Sequence, residues 1–98
     1  ITIDKDLTIT GIGLFDLMIS GNNASRIFHL QQDKTLTVAY VALKNASAAT
    51  NGGAIYVEGN LRLNNILLQN NKENGLPKAM TLTATGSFEA MGTIQIMN

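Results

Sequence analysis

Three short apolar strands recur in the same order along this chain, four times over, with a period of about 25 residues. Placing Thr35–Ala46 over Asn60–Asn71 sets aliphatic residues on aliphatic residues and one asparagine on another. The pairs are Leu36 and Leu61, Val38 and Leu63, Val41 and Ile66, Leu43 and Leu68, and Asn45 and Asn70. A strand-and-turn repeat of this length forms one coil of a solenoid, which buries its apolar face against neighbouring coils. The chain is therefore predicted to be a stack of coils.

Each predicted coil contains three strands with an apolar, variable, apolar pattern. Because side chains alternate along a strand, the two outer residues of each strand share the buried face. The strands are predicted at 1–3, 28–30, 55–57 and 80–82 in the first column, at 7–9, 36–38, 61–63 and 88–90 in the second, and at 17–19, 41–43, 66–68 and 94–96 in the third. No stretch has the spacing of an amphipathic helix. We predict an all-β, three-sided parallel β-helix of about four coils of roughly 25 residues, without helix.

The 98 residues are predicted to form a single β-solenoid domain. Its coils span approximately 1–23, 24–49, 50–75 and 76–98. Stacked coils line up their inward residues, and burying one aliphatic side chain contributes about 1.5–3 kcal/mol before conformational entropy is counted. The interior columns are therefore expected to be the main source of stability.

Asparagine recurs at the turn after the third strand, two residues beyond an inward aliphatic residue. Asparagine tolerates left-handed backbone angles and can hydrogen-bond to its equivalent in the next coil. We therefore predict an asparagine ladder formed by Asn45, Asn70 and Asn98. In the first coil Gly21 takes this place, as a second residue type suited to positive φ.

The charge of the chain argues against several classes of partner. The formal net charge is zero and only 14% of residues are charged, so there is neither a basic patch for nucleic acid nor a polybasic membrane anchor. No apolar run approaches the roughly 20 residues needed to cross a bilayer, and cysteine is absent. We expect no nucleic-acid binding, no membrane insertion, no disulfides and no thiolate metal site.

No catalytic, cofactor-binding or metal-ligating set can be assembled, because the acidic residues are few and scattered. His29 lies in the middle of a first-column strand, with Tyr56 and Thr81 at the equivalent places in later coils. These three are predicted to point outward as a surface ladder, since the sequence fixes no acid beside the imidazole. Arg62 and Glu89 are predicted to form an ion pair between neighbouring coils.

Several stretches resemble a known family: DLTITG (Asp6–Gly11), LMISGNNASRIFHL (Leu17–Leu30) and NGGAIYVEGNLRLNNILLQNN (Asn51–Asn71). They are similar to coils of bacterial right-handed parallel β-helix repeat proteins of the pectin-lyase-like superfamily, which occur in adhesins, polymorphic outer-membrane proteins and autotransporter passengers. Gly52–Ile55 resembles the GGA-I signature of the polymorphic outer-membrane proteins, and Leu67–Asn70 resembles their F-x-x-N with Leu in place of Phe. The resemblance implies the fold and an extracellular or bacterial cell-surface location.

The ends of the sequence suggest how the coils are used. Ile1 opens within a first-column strand and Asn98 follows a third-column strand, so four whole coils without a cap are expected. Uncapped coils expose strand edges and apolar columns, which favours head-to-tail contact between copies of the chain in an open homopolymer. The predicted end-to-end interface comprises Ile1, Ile3, Leu7 and Ile9 on one face and Met80, Leu82, Phe88, Ala90, Ile94 and Ile96 on the other.

The leading hypothesis is thus a structural extracellular subunit that stacks into a bacterial surface filament. The alternative is a segment of an adhesin or autotransporter passenger that binds a surface glycan or a host protein. An enzyme of the polysaccharide lyase or hydrolase kind is the least favoured, because its clustered acids are missing.

Overall fold

The computed structural model of this chain describes residues 1–12 and 17–97. These residues form strands and turns and no helix. None of them therefore belongs to a helix that would cross a membrane. The strands, in chain order, are β1 (Thr2–Ile3), β2 (Leu7–Thr10), β3 (Leu17–Ser20), β4 (Phe28–Leu30), β5 (Thr35–Ala39), β6 (Val41–Lys44), β7 (Ser47–Ala48), β8 (Ile55–Val57), β9 (Asn60–Gln69), β10 (Lys72–Glu73), β11 (Leu76–Pro77), β12 (Met80–Leu82) and β13 (Ser87–Met97).

The strands stack as parallel columns. The first column is a sheet in the order β1-β4-β8-β12. The second and third columns share another sheet, because β9 and β13 each run through both, while β2 and β5 belong to the second column and β3 and β6 to the third. Each column has four rungs separated by three steps, which makes a β-solenoid of about 3 turns. The predicted all-β parallel solenoid without helix is confirmed for the described residues.

The predicted register is also confirmed. Leu36 pairs with Leu61 and Val38 with Leu63, and β13 continues the same columns one rung further. Loops carry a small extra sheet outside the stack: β7 pairs in parallel with β10, and β10 forms an antiparallel hairpin with β11.

The core lies between the columns and is closed most completely in the second and third rungs. Inward side chains of these rungs are at most 1% exposed. They include Phe28, Leu30, Leu36, Val38, Leu43, Ile55, Leu61, Leu63, Ile66 and Leu68. Each of these rungs is covered by a rung above and another below, so its aliphatic residues are removed from water on both sides.

A corner between the second and third columns depends on left-handed backbone angles. Tyr40 (φ 57), Asn65 (φ 53) and Gly92 (φ 70) occupy this corner in successive rungs. Asn65 accepts a hydrogen bond from the Thr93 backbone N–H through Oδ1 (3.0 Å) and donates one to Asn64 Oδ1 (2.7 Å). The sequence reasoning missed this column because three different residue types fill it.

The asparagine turn after the third column is partly as expected. Asn45 (φ 55) and Asn70 (φ 54) have left-handed backbones, but Asn98 lies outside the described residues, so the ladder itself stays a prediction. Gly21 does not have positive φ, and the expectation for it is wrong; Asn22 (φ 56) next to it does. Glycine is needed at 21 for close packing, because a Cβ there would lie 2.7 Å from the Cα of Ala46.

The side chain that joins coils at this turn is Asn71, which is fully buried. Its Oδ1 accepts a hydrogen bond from the Ala46 N–H (3.1 Å), and its Nδ2 donates one to the Leu43 carbonyl (3.1 Å). One asparagine therefore satisfies two backbone groups of the preceding coil that no water reaches.

Replacing Asn71 tests the importance of this link. Asn71→Ala leaves the buried Ala46 N–H without its acceptor, at a cost of about 1–3 kcal/mol, and removes the second hydrogen bond, to the Leu43 carbonyl, at about 1 kcal/mol. We expect the free energy of unfolding, measured by urea denaturation, to fall by about 2–4 kcal/mol. The control is Gln32→Ala on an exposed turn; equal effects of the two changes would contradict the role of Asn71.

Alanine substitutions at two glycines distinguish the cost of a left-handed backbone from the cost of a steric clash. Gly92 and Gly75 (φ 77) are both left-handed, but a Cβ on Gly92 would lie 2.6 Å from the Asn65 side chain, whereas a Cβ on Gly75 would have no atom within 4 Å other than those of its chain neighbours. Left-handed strain costs an L-residue about 1–2 kcal/mol. We expect Gly75→Ala to lower the free energy of unfolding by about that amount, and Gly92→Ala by at least about 1 kcal/mol more. Similar losses in thermal or urea unfolding would argue against the clash at the corner.

Candidate functional site

The first candidate site is the pair of end rungs, where several large apolar side chains are exposed. At the first end, Ile1 is 75% exposed and Leu7 and Leu17 are also exposed, while Ile9 is partly covered and Ile3 is buried. Ile3 therefore belongs to the core of the described chain and adds little to the exposed face. A cavity of about 270 Å³ lies at this end, lined by Thr10, Gly11, Ile12 and Leu17.

The second end presents the inward residues of β12 and β13. Phe88 is 44% and Ile96 61% exposed, whereas their partners one rung below, Leu61 and Leu68, are at most 1% exposed. Of the other predicted interface residues, Leu82 and Ala90 are exposed, and Met80 and Ile94 are half-buried against the core. The same columns that form the core thus reach solvent here.

The edge of β13 adds backbone groups to this face. β13 is an edge strand of 11 residues that pairs with β9 on one side. Lysine, proline or a bulge commonly protects such an edge. β13 contains neither lysine nor proline, and its bulge between Met91 and Ile94 lies where β9 also turns the corner. The bulge therefore follows the solenoid and does not turn the edge away from a partner.

A second cluster lies on the outer face of the first column. The register places His29 beside Tyr56 and Tyr56 beside Thr81, as predicted. The rings of His29 and Tyr56 are stacked, with centroids 4.9 Å apart and planes at 27°. The Arg26 guanidinium lies 5.6 Å from the Tyr56 ring centre, a cation–π distance.

Glu58 completes this cluster and was missed by the sequence reasoning. Its Oε1 contacts His29 Nε2. The signal was present, because Glu58 lies two residues after Tyr56 and so points to the same outer face, one rung from His29. Stacking, cation–π contact and this polar contact connect the second and third rungs, so the cluster acts as a clamp between coils.

The predicted pair of Arg62 and Glu89 is confirmed, with Nε and Oε2 3.5 Å apart. Both side chains are more than half exposed. Water screens such a pair, so its contribution to stability is small.

Glu73 forms a third polar cluster, at the small extra sheet. Its Oε1 accepts hydrogen bonds from the Gly52 backbone N–H (2.6 Å) and the Thr81 hydroxyl (3.3 Å), and Lys78 Nζ lies 3.9 Å from its Oε2. The hydrogen bond from Gly52, followed by the charge of Lys78, lowers the pKa of Glu73 below its usual value. The carboxylate ties the hairpin to the turn before β8, in the same coil, and to β12 of the next coil.

The lowered pKa of Glu73 predicts a pH-dependent contribution to stability. A carboxyl group with a lower pKa in the folded state stabilises the fold above its unfolded pKa, and this stabilisation is lost as the pH falls through the folded pKa. We expect Glu73→Gln to lower the free energy of unfolding at neutral pH, with a difference from wild type that disappears in acid.

Urea denaturation across the acid range measures this difference. Glu89→Gln is the matched control, because Glu89 is exposed and accepts no backbone hydrogen bond among the described residues. A deficit of Glu73→Gln that stays constant down to low pH would contradict the role of the charged carboxylate.

Two further sources of functional information are metal sites and similarity to known proteins. Within residues 1–12 and 17–97, no group of three or more His, Asp or Glu side chains is arranged to hold a metal ion. No family model, curated protein or solved structure matches this chain.

Proposed function

We propose that this chain is a non-enzymatic, extracellular β-solenoid subunit that stacks head to tail into a bacterial surface filament. The observation that carries the proposal is the exposure of the core columns at both end rungs. Leu7 and Ile1 at one end and Phe88 and Ile96 at the other continue columns that are fully buried between them. A further coil of the same pattern would bury them.

The spacing of the two ends supports a second copy as the source of that coil. In the second column, Leu7 and Ile9 have the same two-residue spacing as Phe88 and Ala90. A copy placed above β13 would set Leu7 over Phe88 and Ile9 over Ala90, and it would offer parallel strand backbone to the open edge. The contact joins different faces, so it does not close and propagates as a fibre.

Electrostatics do not oppose this stacking. The net charge is zero, so copies repel each other little. Glu89 is the only charged residue of β13, and it is directed to the outer face beside Arg62. The proposed location on the bacterial surface is supported by the resemblance of the coils to bacterial surface β-helix proteins.

A second candidate function is a segment of an adhesin or autotransporter passenger that binds a glycan or a host protein. The outer cluster of Arg26, His29, Tyr56 and Glu58 favours it, because this cluster presents aromatic, cationic and anionic groups together on one face. The same solenoid would then serve as a scaffold for that face.

Electron microscopy of the purified chain distinguishes the two functions. We expect fibres with an axial repeat of about 19 Å, since four rungs are spaced about 4.8 Å apart. Phe88→Asp would bury a charge in the joint, and we expect it to raise the protein concentration needed for fibre formation at least about tenfold while the circular dichroism of the fold is kept.

The matched control is Thr37→Asp, which adds the same charge on the outer face of a middle rung. Fibres that form equally well with both variants would contradict the end-to-end joint. A chain that stays monomeric at all concentrations and binds a glycan array would support the adhesin alternative instead.

A further inference from the structure

We propose that Asn74 is a site of spontaneous deamidation, and that Asn51, in the other Asn-Gly pair of this chain, is protected by the folded coil. The sequence contains these two Asn-Gly pairs, Asn51–Gly52 and Asn74–Gly75. Glycine makes both pairs chemically susceptible, because its missing side chain leaves the backbone nitrogen open to react. The inference does not depend on the proposed filament.

The chemistry needs the backbone nitrogen that follows the asparagine. For Asn74, the nitrogen of Gly75 loses its proton to base and attacks Cγ of the side-chain amide. A new C–N bond closes a succinimide ring, and the Cγ–Nδ2 bond breaks with release of ammonia. Water then opens the ring at either carbonyl and gives aspartate or isoaspartate. No oxidant, metal or enzyme takes part.

The Asn74–Gly75 pair lies at the exposed tip of the hairpin, where the Asn74 N–H donates a hydrogen bond to the Ala48 carbonyl (2.7 Å). It joins β10 and β11, which pair over only two residues each, and both turn residues are left-handed (φ 51 and 77). Asn74, Gly75 and Leu76 are all exposed, and apart from its two chain neighbours no described residue has an atom within 4 Å of a Cβ built on Gly75. Ring closure requires this turn to leave its native conformation, and a short, exposed hairpin opens at little cost.

The Asn51–Gly52 pair is fixed on both sides of the peptide bond. The Gly52 N–H, which would have to react, donates a hydrogen bond to Glu73 Oε1 (2.6 Å). The Asn51 carbonyl accepts one from Arg26 Nε (3.0 Å), and the same guanidinium also donates to the Thr50 carbonyl (2.7 Å).

Packing adds to this restraint. Gly52 is buried, and a Cβ there would lie 2.4 Å from the Ile55 carbonyl oxygen and 2.8 Å from the Thr81 nitrogen. Bringing the Gly52 nitrogen to the Asn51 side chain therefore requires opening of the coil at the Glu73 cluster, which costs more than a local rearrangement of the exposed hairpin tip at Gly75.

Deamidation would change the charge of one lateral loop, outside the strands of the end rungs. The product adds a negative charge directly after Glu73, so the net charge becomes negative. The isoaspartate form also lengthens the backbone by one atom, which does not fit a two-residue turn.

The test compares the two pairs in the folded and the unfolded chain. The protein is incubated in mildly alkaline buffer, with and without concentrated urea, and the two peptides are quantified by mass spectrometry after digestion. In urea we expect the two asparagines to react at rates within about threefold, since neither is restrained. In the folded protein we expect Asn74 to react at least about tenfold faster than Asn51.

Two variants examine the protection directly. Glu73→Ala removes the acceptor of the Gly52 N–H, and Arg26→Ala removes the donors to the Thr50 and Asn51 carbonyls. Each is expected to raise the rate at Asn51 severalfold under conditions where a cooperative urea transition shows that the variant is folded. Equal rates at the two sites in the folded protein, a faster rate at Asn51, or no reaction at Asn74 would overturn the proposal.

Discussion

Aliphatic side chains that lie over one another in successive rungs hold this solenoid together, and every other feature is arranged around them. Because strand side chains alternate, a shift of one residue would move a whole column from the core to solvent. The turns must therefore return the chain to the same phase in each coil. Left-handed residues such as Asn65 and Asn45, and the close approach of Gly21 to Ala46, keep that phase.

The columns were predictable from sequence because their signal is repeated four times. The apolar, variable, apolar pattern of Leu36 and Leu61 recurs in each coil although the loops between the strands differ in length, so even the last coil, with its extra residue at Gly92, was placed correctly. Arg62 and Glu89 were paired by the same logic. Side-chain contacts that depend on the path of the backbone through the turns were harder to predict, because the sequence does not show which turn residues face one another.

Asn71 and Glu58 illustrate that difficulty. Asn71 follows the predicted asparagine position directly. Its side chain is buried and hydrogen-bonds to the preceding coil, and this depends on the direction of the side chain, which the sequence does not show. Glu58 lies in the coil after that of His29 and two residues beyond Tyr56, the direct neighbour of His29. Their contact therefore runs diagonally from one rung to the next. The polar groups outside the core act mainly as clamps between rungs, while the exposed apolar surface is concentrated at the ends.

Residues stacked in neighbouring rungs are separated by a similar number of residues along the sequence, and this affects how the chain folds. Leu36 and Leu61, like other vertical neighbours, are separated by about 25 residues, and this separation does not grow as coils are added. The entropy of closing each loop is therefore nearly the same at every step. Folding can begin in the two middle rungs and extend outward one coil at a time. The number of coils in such a chain therefore affects its stability much more than its folding rate.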